Sequence, residues 1–401
     1  MHARARRNIR LLTWFNFCSD FRIYNAIAVV YFARISGSYA LGIGIFTVAK
    51  ISAALFEIPT GVFSDLLGRK VTLALGQVAA ALSIACYAFA TSFPLLVAGG
   101  VLEGLSFALF SGNNDALLFE SLKQEEREAE FAQFQARVSS TFQLALAVSA
   151  AVAMLALRWL SFRQLFLLSI LPQVLGMAIA LALVEPARRA FSAQHGVFTH
   201  LKEAMRGFTH NRNLRLLALA SAIGFALGEA KFLFYPAFFA LFWLGPWLAL
   251  ARLLSHAGGA LGFRIAGLLI RQRGETEVLV GTSALAVTLG IVGTAIANIA
   301  SPALLSASSV LFGPSVVAQQ SLAQKAFTDQ QRATMASLSQ SAGNLFFAVA
   351  ATLIGLLADR FGARNALLIA EILSISVTYL YWRLYGRSRR RDSVEDQAAQ
   401  G

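Results

Sequence analysis

The sequence predicts an all-α membrane protein whose twelve transmembrane helices form two pseudo-symmetric bundles of six. Its composition, a series of long apolar segments and an internal repeat lead to this prediction. Hydrophobic residues make up 57% of the 401 residues and charged residues only 14%, whereas soluble proteins carry about 25% charged residues. Because so few charges cannot cover a surface that faces water, we exclude a soluble protein and expect the lipid bilayer to surround the chain.

Charge and cysteine content exclude further classes. The net charge of +13 comes mostly from cations that flank apolar segments and anchor helix ends at the membrane surface, so we expect no nucleic-acid partner. Cys18 and Cys86 both lie inside apolar stretches, which argues against a disulfide scaffold. The basic N-terminus is followed by Asp20 and Arg22 and lacks a small-residue cleavage site. We therefore interpret this region as a retained first span rather than a signal peptide.

Twelve segments are long and apolar enough to serve as membrane spans, since a helix needs about 20 residues to cross a core of ~30 Å. The apolar stretch 214–271 is too long for one span, and we divide it near Gly245 and Pro246. The predicted spans 1 to 12 are 11–33, 39–63, 70–90, 94–117, 134–157, 163–184, 214–239, 246–271, 277–298, 303–325, 334–357 and 364–386.

Positive charges orient these spans, because cytoplasmic loops are enriched in lysine and arginine. With a cytoplasmic N-terminus, the inner loops and tails hold 24 of the 34 lysines and arginines, the outer loops 5 and the spans 5. This bias predicts a multi-pass protein of the cell (inner) membrane with both termini in the cytoplasm. The predicted domains are an N-terminal six-helix bundle (1–184), a cytoplasmic linker with an amphipathic segment (185–213), a C-terminal six-helix bundle (214–386) and a cytoplasmic tail (387–401).

The two halves of the chain repeat each other. The loop GVFSDLLGRK (61–70) follows span 2, and GLLIRQRGET (267–276) follows span 8 with its glycines at the same spacing. Span 1 carries the pair Asp20 and Arg22, and span 7 carries Glu229 and Lys231 at the corresponding place. Such repetition is typical of secondary transporters.

The stretch EIPTGVFSDLLGRKVTL (57–73) resembles the signature loop of the major facilitator superfamily, and the resemblance covers nearly the whole chain. It implies a secondary transporter that binds a small molecule between two six-helix halves and exposes it alternately to each side. In that family the first, fourth, seventh and tenth helices line the central cavity. The resemblance also implies a conformational latch between the halves, formed by Gly61, Asp65, Gly68, Arg69 and Lys70.

Two features depart from the pattern of the family's proton–drug exporters. Those exporters carry an arginine in the fourth helix four residues before a glycine, whereas here Gly100 precedes Gly104. Their fifth helix contains glycines and proline, and span 5 contains neither. Both departures weaken an assignment as a drug antiporter.

Ionisable residues inside the spans are the candidate contacts for substrate and protons. A charge in mid-bilayer costs roughly 2.5–3.5 kcal/mol, so it faces a partner or water. Arg22 lies about 200° around the helix from Asp20, so the two cannot simply pair on one face, and Glu229 and Lys231 repeat this geometry. The predicted cavity residues are Asp20, Arg22, Tyr24, Lys50, Glu103, Glu229, Lys231 and Arg252. For Lys50 and Arg252, structural ion pairing explains the charge equally well.

The expected function is proton-coupled secondary transport by a monomer, with Asp20 and Glu229 as the proton carriers. Efflux of an amphipathic or anionic small molecule is the first expectation, and uptake of an anionic or zwitterionic metabolite is the alternative. Rivals from other classes are a lipid-modifying membrane enzyme, with Asp115 and Glu120 as its nearest catalytic pair, and a receptor that does not transport. We expect no enzyme activity, cofactor or metal, because no histidine spacing suits a metal and no phosphate-binding loop occurs.

Overall fold

The computed structural model describes residues 2–111, 113–123, 131–185, 212–326 and 329–400. Within these ranges the description excludes the side chains of residues 2–6, 58, 65, 115, 131–133, 135–140, 212–214, 323–326, 329–341 and 385–400. Most of the predicted linker, including its amphipathic segment at 197–208, lies outside the described residues.

Throughout the described ranges the regular structure is helical. The first half contains α1 (His2–Asp20), α2 (Ala28–Ser36), α3 (Tyr39–Leu67), α4 (Arg69–Phe89), α5 (Phe93–Phe110), α6 (Asn113–Lys123), α7 (Phe131–Ala156), α8 (Phe162–Leu168) and α9 (Ile170–Ala182). The second half contains α10 (Arg212–Phe239), α11 (Pro246–Arg273), α12 (Glu275–Ile296), α13 (Ser301–Ser308), α14 (Phe312–Ala326) and α15 (Asp329–Gln400). Two short 3₁₀ helices, Ile23–Ala26 and Ser309–Leu311, follow α1 and α13.

Nine helices within the described residues are long and apolar enough to cross a membrane. They account for ten of the twelve predicted spans, since the last of them, Ala342–Leu384, includes both spans 11 and 12. Gly362 divides that helix with a φ of 83°, a backbone conformation that glycine adopts without strain. Span 5 is represented by the shorter apolar helix Thr141–Ala156, and span 1 is interrupted. The count of twelve therefore stays a prediction.

The chain divides into two compact units. The first comprises Met1–Phe191 with Leu244–Leu253, and the second comprises Ser192–Trp243 with Leu254–Gly401.

Glycines allow close helix packing at corresponding places in both units. In the first unit, a Cβ at Gly104 would collide with the Ala49 carbonyl oxygen of α3, and one at Gly100 would lie 3.1 Å from the Ile45 carbonyl oxygen. In the second unit, a Cβ at Gly262 of α11 would lie 3.0 Å from the carbonyl carbon of Val310. Small residues at such positions let membrane helices approach each other closely. Spans 2 and 4, and likewise spans 8 and 10, are thus packed backbone to backbone.

Candidate functional site

A buried trio of charged and phenolic side chains lies in the first unit. Arg22 follows α1, Tyr87 lies on α4 and Glu103 lies on α5. The Arg22 guanidinium Nη1 forms an ion pair with Glu103 Oε1, and the Tyr87 hydroxyl donates a hydrogen bond of 2.8 Å to Glu103 Oε2. All three side chains are buried. Both oxygens of this carboxylate are thus engaged, one by the guanidinium and one by the phenol.

The chain is not helical where Arg22 lies. Helix α1 ends at Asp20, and Arg22 has an extended backbone (φ −120°, ψ 95°) before the 3₁₀ helix Ile23–Ala26 begins. The predicted 200° separation of Asp20 and Arg22 assumed a continuous helix and is therefore wrong. The interruption leaves backbone groups without helical partners in the apolar interior, where unpaired groups are costly.

Side chains from neighbouring helices satisfy these backbone groups. The backbone N–H of Ile23 donates to Ser169 Oγ at 3.0 Å, and Gln173 Nε2 donates to the Cys18 carbonyl oxygen at 3.2 Å. Arg22 Nε also donates to the Ser19 carbonyl oxygen at 3.2 Å. Ser169 and Gln173 are separated by one helical turn at the junction of α8 and α9, so span 6 stabilises the interruption of span 1.

Aromatic rings surround the trio of the first unit. Tyr24 lies beside Arg22 and Glu103 and stacks on Phe166 with a centroid distance of 4.3 Å. Tyr87 packs against Phe32 at 4.7 Å. The predicted cavity residue Tyr24 is thus a fully buried member of an aromatic cluster, with only 1% of its surface exposed.

A second trio with the same chemistry lies in the second unit. Lys231 Nζ forms an ion pair of 2.7 Å with Glu371 Oε2, and the Tyr235 hydroxyl donates to Glu371 Oε1 at 3.0 Å. Lys231 Nζ also donates to Ser374 Oγ at 2.9 Å. Lys231 and Tyr235 lie on α10, and Glu371 and Ser374 lie on α15. Each unit thus contains one buried carboxylate that is bound by one cation and one phenol.

The two trios contain the same kinds of side chain, but these side chains do not lie on corresponding spans. Glu103 lies on span 4, whereas Glu371 lies on span 12. Helix α10 also runs without interruption past Glu229 and Lys231, unlike span 1 at Asp20 and Arg22. Asp20 lies two residues before Arg22 and interacts with it electrostatically, and Glu229 lies two residues before Lys231 and interacts with a neighbouring group.

The remaining predicted cavity residues lie in spans 2, 7 and 8. Lys50 on α3 and Glu229 on α10 are half-buried, and Arg252 on α11 is buried. Each of the three has an interaction with a neighbouring group.

The signature loop is anchored within the first unit. Both oxygens of the Glu185 carboxylate accept backbone hydrogen bonds, from the N–H of Arg69 at 2.8 Å and of Lys70 at 2.9 Å. These donors belong to the first turn of α4, where an anion is favoured. Gly68, immediately before α4, has a φ of 96°. The Arg69 guanidinium in turn donates to Glu120 Oε1 at 2.8 Å, so this loop, span 6 and α6 form one network.

The remaining two predicted latch residues are Asp65 and Gly61. The side chain of Asp65 lies outside the described residues. No atom in the described part of the chain lies within 4 Å of a Cβ built at Gly61. The catalytic pair expected of a membrane enzyme is not shown either, since Glu120 binds Arg69 and the side chain of Asp115 is not described.

The sequence prediction missed three of the six trio members: Tyr87, Tyr235 and Glu371. Glu371 is an acid in the middle of span 12, so the rule that selected Glu103 and Glu229 would also have selected it. The tyrosines carry no such signal, because a phenol in an apolar helix is ordinary. Across the described residues, no group of three or more metal-binding side chains occurs.

A sequence profile of the major facilitator superfamily matches residues 11–351. The chain belongs to the major facilitator superfamily. An uncharacterized MFS-type transporter of Methanocaldococcus jannaschii is 27% identical over 131 residues, which amount to 33% of this chain and 33% of that relative. The aligned segment thus spans about a third of the length of this relative.

Solved structures of major facilitator proteins share the fold. A D323A mutant of the nucleoside transporter NupG matches with a TM-score of 0.78 at 13% identity, covering 95% of this chain and 100% of that one. A bacterial homolog of the human lysosomal transporter Spinster matches with a TM-score of 0.74 at 14% identity, covering 95% and 97% of the two chains. A D-xylose–proton symporter matches with a TM-score of 0.71 at 13% identity, covering 96% and 98%. The protein is thus a membrane-embedded member of the major facilitator superfamily that shares the fold of these transporters.

Proposed function

We propose that the protein is a proton-coupled secondary transporter that moves a small amphipathic or anionic molecule across the membrane by alternating access. Asp20 and Glu229 are the proposed proton carriers. In this proposal the protein acts as a monomer in the inner membrane, with both termini in the cytoplasm. The proposed direction is export, and uptake of an anionic or zwitterionic metabolite is the alternative.

The placement of the acidic and basic residues inside the two units supports the choice of proton carriers. Arg22 and Lys231 are neutralised by Glu103 and Glu371, and the oxygens of both glutamates are occupied. Asp20 and Glu229 lie two residues before the cations of spans 1 and 7, and acids in membrane spans are the groups that relay protons in transporters.

Two further cations favour an anionic or zwitterionic cargo. Lys50 in span 2 and Arg252 in span 8 add positive charge within the spans, and each also interacts with a neighbouring group. The name of one fold neighbour, the D-xylose–proton symporter, shows that this fold accommodates proton coupling. Nucleoside and peptide transporters are also among the fold neighbours, so nucleosides, peptides and sugars belong in the first substrate panel.

The test begins with thermal unfolding of the purified protein in the presence of that panel and of anionic amphiphiles. A ligand at 100 times its Kd stabilises the folded protein by about 2.7 kcal/mol. Each stabilising compound is then tested in proteoliposomes of both orientations, where a trapped pH-sensitive dye reports proton movement. We expect Asp20→Asn and Glu229→Gln each to lower compound-driven proton flux at least tenfold.

Glu277→Gln is the matched control, because Glu277 is exposed near the start of α12 and loses the same charge. This variant should keep the flux of the parent protein. Transport whose dependence on the pH gradient persists in both Asp20→Asn and Glu229→Gln would rule out these residues as the proton carriers.

A further inference from the structure

Glu371 is a buried acid in span 12. Only 1% of its surface is exposed, and both of its carboxylate oxygens bind side chains of α10. Oε2 accepts from Lys231 at 2.7 Å, and Oε1 accepts from Tyr235 at 3.0 Å. A carboxylate with both oxygens engaged in this way is a fixed attachment point between two helices.

The two groups that bind Glu371 lie on one face of α10. Lys231 and Tyr235 are four residues apart, so they project one above the other. Glu229 precedes Lys231 by two residues and lies about 200° around the helix from it. Fixing Lys231 and Tyr235 to span 12 therefore fixes the face of α10 on which Glu229 lies.

A third helix encloses this attachment. A Cβ at Gly290 of α12 would overlap the Glu371 carboxylate, at 2.6 Å from Cδ and 3.0 Å from Oε1. At Gly290 the backbone of α12 thus packs directly against the Glu371 carboxylate and restricts where this carboxylate can lie. The hydrogen-bonded side chains at this point come from two of the three helices, namely Lys231 and Tyr235 of α10 and Glu371 and Ser374 of α15.

From this geometry we propose that Glu371 is a positioning residue that sets the rotation of α10. It binds Lys231 and Tyr235 to span 12, and it thereby holds Glu229 on the opposite face of α10. Lys231 is accordingly a partner of Glu371 and not a contact for substrate. The value of this arrangement for transport rests on the proposed role of Glu229, but the rotation itself is measurable without any substrate.

The experiment measures how fast N-ethylmaleimide alkylates a cysteine on α10. Ala230 lies between Glu229 and Lys231 and is fully buried, so Ala230→Cys reports rotation of the helix. Native Cys18, buried in α1, serves as the internal reference, and Cys86→Ser removes the other thiol. Glu371→Gln removes the negative charge at nearly unchanged shape and leaves Lys231 uncompensated. We expect alkylation at position 230 to become at least tenfold faster, with the rate at Cys18 unchanged.

Two further comparisons separate positioning from general loosening. Gly290→Ala displaces the carboxylate without changing any charge and should also expose position 230. Gly281→Ala on the same helix should not, because no atom beyond its own stretch of helix lies within 4 Å of the new Cβ among the described residues. The double variant Lys231→Met/Glu371→Met replaces the ion pair by an apolar pair of similar volume, which buried sites accept well, and should protect position 230 again.

Unchanged protection of position 230 in Glu371→Gln would overturn the proposal, as would equal acceleration at Cys18. Failure of the double variant to restore protection would also overturn it, because an attachment point between helices is replaceable by apolar packing. A protein whose transport ignores the pH gradient contradicts the proposed function but leaves these alkylation rates, and thus this proposal, untouched.

Discussion

The carboxylates of Glu103 and Glu371 are stable in an apolar interior because each meets a cation and a phenol. Placing a single ion there would cost several kcal/mol. Hydrogen bonds to a charged group contribute about 1.5–3 kcal/mol each, so the tyrosine of each trio carries a measurable part of the compensation. In each trio the tyrosine hydroxyl donates to the carboxylate oxygen that does not bind the cation.

Removing one phenol tests this contribution. Tyr87→Phe keeps the ring contacts with Phe32 but removes the hydrogen bond to Glu103. We expect the free energy of unfolding in detergent to fall by about 1.5–3 kcal/mol. Tyr379→Phe is the control, since Tyr379 is exposed and stacks on Trp382, and it should change stability by less than about 0.5 kcal/mol. Equal stability of the two variants would show that the hydrogen bond to Glu103 contributes nothing.

The outcome for individual residues shows which part of the site the sequence can predict. A charge inside an apolar segment is visible in the sequence, so Arg22, Glu103 and Lys231 were among the predicted cavity residues. Their partners were not predictable, because Glu103 is 81 residues from Arg22 and Glu371 is 140 residues from Lys231. Pairing at such separations depends on the rotation of each helix, which one sequence does not specify.

Among the helices, spans 1 and 7 show how neighbours override a local pattern. Both carry an acid, one intervening residue and a cation, and the sequence predicts the same helical geometry for both. Span 7 follows that prediction, while span 1 unwinds at Arg22. The difference lies in span 6, where Ser169 and Gln173 offer hydrogen bonds to the open backbone. The length and apolar character of most spans, by contrast, follow from local sequence and were predicted.

The interruption of span 1 predicts a cost for removing its polar support. Ser169→Ala leaves the buried N–H of Ile23 without its acceptor, and an unsatisfied buried donor costs about 1–3 kcal/mol. Thermal unfolding in detergent should report this loss. Ser376→Ala removes a hydroxyl that bonds only to its own helix, at the Leu373 carbonyl oxygen, and should leave the unfolding free energy nearly unchanged. A Ser169→Ala variant as stable as Ser376→Ala would mean that the interruption needs no support from span 6.

For the whole molecule, the distribution of lysine and arginine predicts the orientation in the membrane. Introduced cysteines test it in a background without Cys18 and Cys86. Thr91→Cys, in the exposed turn between α4 and α5, should react with a membrane-impermeant maleimide in intact cells. Gln272→Cys, at the exposed end of α11, should react only after the cells are permeabilised, because we expect that turn to face the cytoplasm. The reverse pattern would invert the proposed topology and place both termini outside.

The confinement of each ion pair to one unit has an electrical consequence. Moving one elementary charge through the full membrane potential changes the energy by about 2.3 kcal/mol per 100 mV. Each pair sums to zero charge and is fixed within its own set of helices, so a rigid movement of that unit displaces no net charge from these four residues. The membrane voltage is therefore expected to act on the transport cycle through the proposed proton carriers and the cargo, and not through these two ion pairs.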